Sequence, residues 1–139
     1  MFNLKGKKAL VTGASKGIGR AIALSLAEQG VDLIITARSE AELSSLADDI
    51  TSTGVSCHTI TADLANHDDV LNLAQQALGI YPTIDILVNN AGVSHPESAI
   101  NTQETNWNHT FDINVKALLF LSQQLVKPMI DQNYGRIVN

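Results

Sequence analysis

The sequence predicts an α/β protein, a doubly wound parallel sheet flanked by helices. Three observations carry that prediction. Short apolar runs rich in β-branched residues alternate with amphipathic stretches at helical spacing. Glycine, proline or a capping residue punctuates most of the junctions. The polar residues that follow the apolar runs, Gly13, Arg38, Asp63 and Asn90, all fall at the carboxyl ends of predicted strands. Such alternation gives βαβ units with right-handed crossovers. Sheets of this kind bind ligands at their strand carboxyl ends.

Residues 9–11 are read as the first buried strand. They lead into Thr12-Gly13-Ala14-Ser15-Lys16-Gly17-Ile18-Gly19 and then into a helical run, residues 20–29, with Ile22, Ala23, Leu26 and Ala27 on one face. Strand, glycine turn and helix together offer backbone N–H groups and a positive helix end to a phosphate. Gly13 suits a tight turn or positive φ, Gly17 a close backbone approach to a pyrophosphate, and Gly19 close packing of helix on strand. The spacing is G-x-x-x-G-x-G rather than G-x-G-x-x-G. A plain structural turn is the competing reading of this stretch taken alone.

Gly30 closes the first helix, and residues 31–37 form a second buried strand. Ser39 and Glu42 are placed as a capping box for a helix reaching about residue 52, with Leu43, Leu46, Ala47 and Ile50 inward and Gly54 as its stop. Residues 55–62 form the third strand. Asn66 caps the next helix, whose first turn holds Asp68 and Asp69 and whose buried stripe is Val70, Leu73, Ala74, Ala77 and Leu78; Gly79 and Pro82 break it. Residues 84–88 are the fourth strand, followed by Asn89-Asn90-Ala91-Gly92 and a polar loop, residues 94–102. One long helical pattern, residues 104–132, carries Trp107, Phe111, Val115, Leu118, Leu119, Leu125 and Met129, and Pro128 is expected to kink it or mark its last turn. Residues 135–139 begin a fifth strand.

The chain has 139 residues, room for one domain with a real core. Hydrophobic residues make up 45% and charged residues 17%, the balance of a soluble globular protein. A net charge of −5 argues against nucleic-acid and membrane-surface partners. A single cysteine, Cys57, excludes a disulfide within the chain. His58, His67, His95 and His109 lack metal-ligand spacing, so no metal site is expected. No run approaches a membrane span, and residues 1–8 contain no apolar signal core. A cytoplasmic location is expected.

Four elements in order give the chain a resemblance to the N-terminal part of a classical short-chain dehydrogenase/reductase: Thr12 to Gly19 with its glycines, Asp63-Leu64, Asn89-Asn90-Ala91-Gly92, and Asn114 in the long helix. The chain is especially similar to the 3-oxoacyl-[acyl-carrier-protein] reductase-like branch. The resemblance implies a Rossmann fold of strand order 3-2-1-4-5, with residues 1–139 as a single NAD(P)-binding domain truncated in the fifth strand. It implies that Gly13, Gly17 and Gly19 hold the pyrophosphate with Ser15 and Ile18 nearby. Asp63 would accept from the adenine amino group, and Leu64 would flank the ring. Asn90, Ala91 and Gly92 would line the ribose and pyrophosphate crevice, while Asn89 fixes the central strand. Asn114 would kink the long helix and help hold a water of the proton relay. Taken singly, Asp63 reads equally as a turn cap, Asn89 to Gly92 as a strand-end turn, and Asn114 as a solvated helix residue.

The cofactor expectation is NADP(H). NAD sites of this architecture put an acidic residue at the end of the second strand, against the ribose 2′-OH. This chain has Thr36-Ala37-Arg38-Ser39 there. Arg38 can pair bidentately with a 2′-phosphate, and Lys16 can approach from the glycine turn. The family's acid chemistry uses a Ser and a Tyr-x-x-x-Lys pair. Here Tyr81 is followed four residues later by Asp85, and Tyr134 by Val138. Of that catalytic set only Asn114 is present. A strand ending in Ile137-Val138-Asn139 belongs inside a sheet, so the chain is read as a fragment, with a natural short form as the other possibility.

The expected function is hydride transfer between NADPH and a small-molecule carbonyl or alcohol substrate, with this chain as the cofactor-binding half. The family implies a homo-oligomer with the long helix at one interface. The rival is a non-catalytic nucleotide-binding module or a partner subunit.

Overall fold

A computed structural model describes residues 3–139. The part of the N-terminal reading that falls on Met1 and Phe2 lies outside the described residues. Five strands, β1 (Lys8–Thr12), β2 (Asp32–Ala37), β3 (Cys57–Thr61), β4 (Ile86–Val88) and β5 (Arg136–Val138), form one sheet. Their order is β3-β2-β1-β4-β5, and every pairing is parallel. The predicted order is therefore the observed one.

Side chains alternate across a strand, and the sheet uses both sets. Leu10, Ile34 and Leu87 face one layer, with Leu73, Ala77, Leu121 and Leu125 from the helices α3 (His67–Ile80) and α5 (Leu118–Asp131). Val11, Leu33, Ile35 and Val88 face the other, with Ala23, Ala27, Leu43 and Leu46 from α1 (Gly17–Glu28) and α2 (Glu40–Thr51). Burial on both faces explains why the central strands read as continuous apolar runs rather than alternating ones. β3 and β5 are the edges. Ile137 and Val138 on β5 are exposed.

The helix starts differ from the sequence reading in one place. α1 begins at Gly17 rather than residue 20, because the glycine turn itself supplies the first helical residues. The Asn66 cap forms as expected, its Oδ1 accepting from Asp68 and Asp69 N–H. The Ser39 box is only half made. Ser39 Oγ accepts from the Glu42 N–H at 3.3 Å, but no return bond from the Glu42 carboxylate to Ser39 N–H is present among the described residues.

The long helical pattern is three pieces. α4 (Glu104–Phe111) passes into a π-helical segment, Asp112–Ala117, and that into α5. Pro128 lies within the last turn of α5. Gly79 does not end α3, which continues to Ile80.

Candidate functional site

A cleft of about 310 Å³ opens at the carboxyl ends of β1, β2 and β4. Gly13, Ser15 and Lys16 line it from the glycine turn, Arg38 and Ser39 from the end of β2, and Asn90, Ala91 and Gly92 from the end of β4; Leu64 also reaches it. Sequence distance within this set runs from the first turn to the fourth strand, and the parallel sheet alone brings the ends together.

The glycine turn is held from the side by β4. Thr12 Oγ1 donates to the Val88 carbonyl at 3.3 Å and accepts from Ala91 N–H at 3.0 Å. Asn90 Nδ2 donates to the carbonyls of Thr12 and Gly13, each at 3.1 Å. Gly13 has φ +61°, and a Cβ there would stand 2.8 Å from Ala91 Cα. A Cβ on Gly19 would collide with the Gly13 carbonyl and Asn90 Nδ2. The turn and the first coil of α1 are thus packed against the Asn90 segment, and a side chain at either glycine has no room.

α1 starts differently from its neighbours. Ser39 caps α2 and Asn66 caps α3, and both helices carry acidic residues in the first turn. α1 has neither a side-chain cap nor an acidic residue there. Its first N–H groups, in the Gly17-Ile18-Gly19 turn, have no intrahelical partner and face no compensating charge. Gly17 adopts φ +57°, and no atom lies within 4 Å of where its Cβ would be. A further polar group on the cleft is unsatisfied. Thr36, 1% exposed, lines the cleft, and its buried Oγ1 has no hydrogen-bond partner among the described residues. An uncapped positive helix end suits an anionic ligand.

Five sequence-predicted residues lie outside the cleft lining: Gly17, Ile18, Gly19, Asp63 and Asn114. Ile18 is largely exposed on the first turn of α1. Asp63 is in a turn, its Oδ1 accepting from Ala65 N–H at 3.0 Å, which leaves Oδ2 open. Asn114 sits in the π-helical segment, where its amide pairs with the backbone of Val93. Oδ1 accepts from Val93 N–H at 2.9 Å, and Nδ2 donates to the Val93 carbonyl at 2.8 Å. Asn89 Nδ2 bridges Ser122 Oγ and Asn139 Oδ1, tying β4 to α5 and to the end of β5. The sequence reading missed Thr36, Ala37, Ser39, Glu42, Ala62, Val93 and Ile113 as lining residues. Thr36 looked like β-branched filler within a strand, and Glu42 like a cap. Among the described residues no group of three His, Cys, Asp or Glu could hold a metal ion, and no helix is long and apolar enough to cross a membrane.

A parallel sheet in this strand order, with a glycine turn opening onto an uncapped helix at the strand ends, is a Rossmann-type fold. The chain belongs to the short-chain dehydrogenase family, whose model matches residues 7–139. It is 35% identical to the 2-dehydro-3-deoxy-D-gluconate 5-dehydrogenase of Dickeya dadantii over 99% of its own length and 54% of that protein's. It is also 35% identical to the 3-oxoacyl-[acyl-carrier-protein] reductase FabG of Staphylococcus epidermidis, covering 96% of this chain and 55% of the relative. Among solved structures it superposes on a metagenomic short-chain oxidoreductase in complex with NADP at a TM-score of 0.93 and 32% identity, over 98% of this chain and 62% of that one. A short-chain type dehydrogenase/reductase from Mycobacterium marinum matches at a TM-score of 0.89 and 34% identity, over 97% of this chain and 55% of that one. The chain thus spans about half the length of the relatives it matches.

Proposed function

We propose that the chain is the cofactor-binding part of an NADP(H)-dependent short-chain oxidoreductase acting on a small-molecule carbonyl or alcohol. The observation that carries this reading is the uncapped first turn of α1, which opens beside the cleft that Lys16 and Arg38 both line. The N–H groups of Gly17, Ile18 and Gly19 would hold the pyrophosphate, with Ser15 beside them. Arg38 and Lys16 would hold a 2′-phosphate. Ala91 and Gly92 would form the floor under the ribose, with Asn90 bracing the turn. Leu64 would flank the adenine, and Asp63 would accept from its amino group through the free Oδ2. NADP-bound crystals of a relative at 32% identity support the same choice of cofactor.

The bound dinucleotide would supply hydride to a carbonyl, or accept it from an alcohol. The chain's own contribution is to bind and orient. Asn114 acts in this reading through Val93, fixing the backbone that leaves β4, and so is a positioning residue. The proton-transfer Ser and Tyr-x-x-x-Lys of the family would come from other segments of the full enzyme, as would most of the substrate pocket. The second reading is a nucleotide-binding module or partner subunit without catalysis. A cytoplasmic, self-associating enzyme without nucleic-acid or membrane partners completes the proposal.

Arg38→Ala tests the cofactor assignment. It is expected to weaken NADPH binding by about tenfold or more, the scale of a lost charge-assisted pair, while NADH binding changes much less. Calorimetric titration with each nucleotide measures both. Equal losses for the two would overturn the assignment.

A further inference from the structure

Glu42 has no role in the cofactor site described above, yet it lines the cleft together with Lys16, Arg38 and Ser39. The sequence gives it a different job, the returning half of a capping box, and the structure does not use it so. Its backbone N–H donates to Ser39 Oγ, and its carboxylate makes no hydrogen bond and no ion pair among the described residues. Its charge also complements the helix dipole, a small contribution that Glu40 makes in the same first turn. What remains is an unengaged carboxylate in the cleft that holds the two cations.

We propose that Glu42 is a specificity-determining residue that sets how strongly the site prefers the phosphorylated dinucleotide. This rests on the NADP(H) reading. A 2′-phosphate placed on Arg38 and Lys16 brings its negative charge toward the Glu42 carboxylate, and like charges in one cleft repel. The unphosphorylated ribose brings no charge, so Glu42 costs it nothing of that kind. This effect acts on NADPH and spares NADH. The site is therefore built with attraction from two cations and a single opposing charge, and its preference for NADPH is held below what Lys16 and Arg38 alone would give.

The test is nucleotide titration of the full chain, with NADPH and NADH separately, for the parent protein and for Glu42→Gln, Glu42→Ala, Glu42→Asp and Arg38→Ala. Glu42 is exposed, and its backbone bond to Ser39 survives each substitution, so thermal midpoints should stay level. Glu42→Gln and Glu42→Ala are expected to lower the Kd for NADPH by about two- to fivefold, the range of one solvent-exposed charge, and to leave NADH within experimental error. Glu42→Asp keeps the charge and should stay nearer the parent. Unchanged or weaker NADPH binding in both neutral variants overturns the proposal, as does equal tightening of both nucleotides, which would place Glu42 against the pyrophosphate instead. Failure of the parent reading looks different: Arg38→Ala would then weaken both nucleotides alike, or neither nucleotide would bind the parent protein.

Discussion

A buried hydroxyl without a partner costs about 1–3 kcal/mol, and Thr36 Oγ1 is such a group among the described residues, on a residue that lines the cleft. Replacing it by valine keeps the β-branched shape that β2 needs and removes the unsatisfied atom. Thr36→Val should raise the stability of the ligand-free protein by about 1 kcal/mol, read from urea midpoints, and weaken nucleotide binding in the same preparation. A variant that is stabilised with unaltered affinity would show that the hydroxyl does not meet the ligand. The sequence hides this residue because threonine within an apolar strand reads as packing. Arg38 stood out because the same strand ends in a cation where an acid is usual. A second set of residues, at the opposite ends of β1 to β3, governs pH behaviour. Burial pushes the Cys57 thiol up to about 11, and burial followed by the Asp32 and Cys57 charges raises the Tyr81 phenol. Burial also works against the Asp32 carboxylate, but hydrogen bonds from Lys8 and Ser56 N–H, with the Lys8 and His58 charges, outweigh it and hold that carboxyl below its usual range. The signs are opposite. The Asp32 contribution is present above the ordinary carboxyl pKa and is lost as pH falls through the lowered value. The thiol is protonated in both states below about 9, and stability is lost as pH rises from there through about 11. Cys57→Ser removes that titration, so its urea midpoint should fall less steeply over this alkaline interval than the parent's. Parallel slopes would mean that the thiol does not carry the alkaline loss.

Between strand β4 and helix α5 the chain must leave the cleft floor and return to the core, and Asn114 governs that passage. Its side chain pairs with both backbone groups of Val93, next to Gly92 on the cleft. Further along the same loop, His95 Nε2 and His109 Nδ1 share a hydrogen bond of 2.9 Å, and Glu97 accepts from Gln103 N–H and Asn106 Nδ2. The loop is laced to α4 and the π-helical segment at three places. A π turn gives up regular α bonding, and the Val93 pairing accompanies that departure. Asn114→Ala should therefore speed amide exchange at Val93 and its neighbours by about fivefold, the effect of losing roughly 1 kcal/mol of local hydrogen bonding. Exchange deep in β1 and β2 should stay the same. If Val93 exchanges at the parent rate, the pairing is not what holds the loop. At this scale the sequence reveals the elements better than their joints. The five strands, the Asn66 cap and the in-helix position of Pro128 all follow from local pattern. The division of the long helix does not, because the residues 104–132 are periodic throughout and the partner of Asn114 lies 21 residues away in the chain. The half-made box at Ser39 is the same lesson: the spacing of Ser39 and Glu42 satisfies a cap, and only the neighbouring cleft explains where the carboxylate goes.

Across the whole molecule, the sheet is covered on both faces, but one surface is left apolar. Trp107, Phe111, Val115 and Leu119 are all exposed, 55%, 43%, 52% and 57% respectively, and they recur every four residues along α4, the π-helical segment and α5. In a straight α-helix of about 3.6 residues per turn, residues four apart drift steadily around the axis. A π turn holds more residues than an α turn, so the segment at 112–117 offsets the drift and keeps the four side chains near one line. Trp107 and Phe111 stack with centroids 4.4 Å apart at its start. The opposite face of these helices packs inward through Ile113, Ala117, Leu121 and Leu125, so the exposed stripe is in addition to a filled core. Contiguous apolar stripes of this kind mark association surfaces, and a stripe on a single helix can pair with its own copy about a two-fold axis. We therefore expect the chain to self-associate through residues 107–119. Sedimentation velocity at micromolar concentrations should give a dimer or larger species for the parent chain. Leu119→Lys and Trp107→Ser should shift it toward monomer, because each interrupts the stripe and Leu119→Lys sets like charges against each other across the axis. Neither residue contributes to the buried core, so the thermal midpoint measured at low concentration should change little. A parent chain that sediments as a monomer, or variants that associate as strongly as the parent, would assign the stripe to something other than a second copy, and the apolar edge at Ile137 and Val138 would then become the surface to test by the same route.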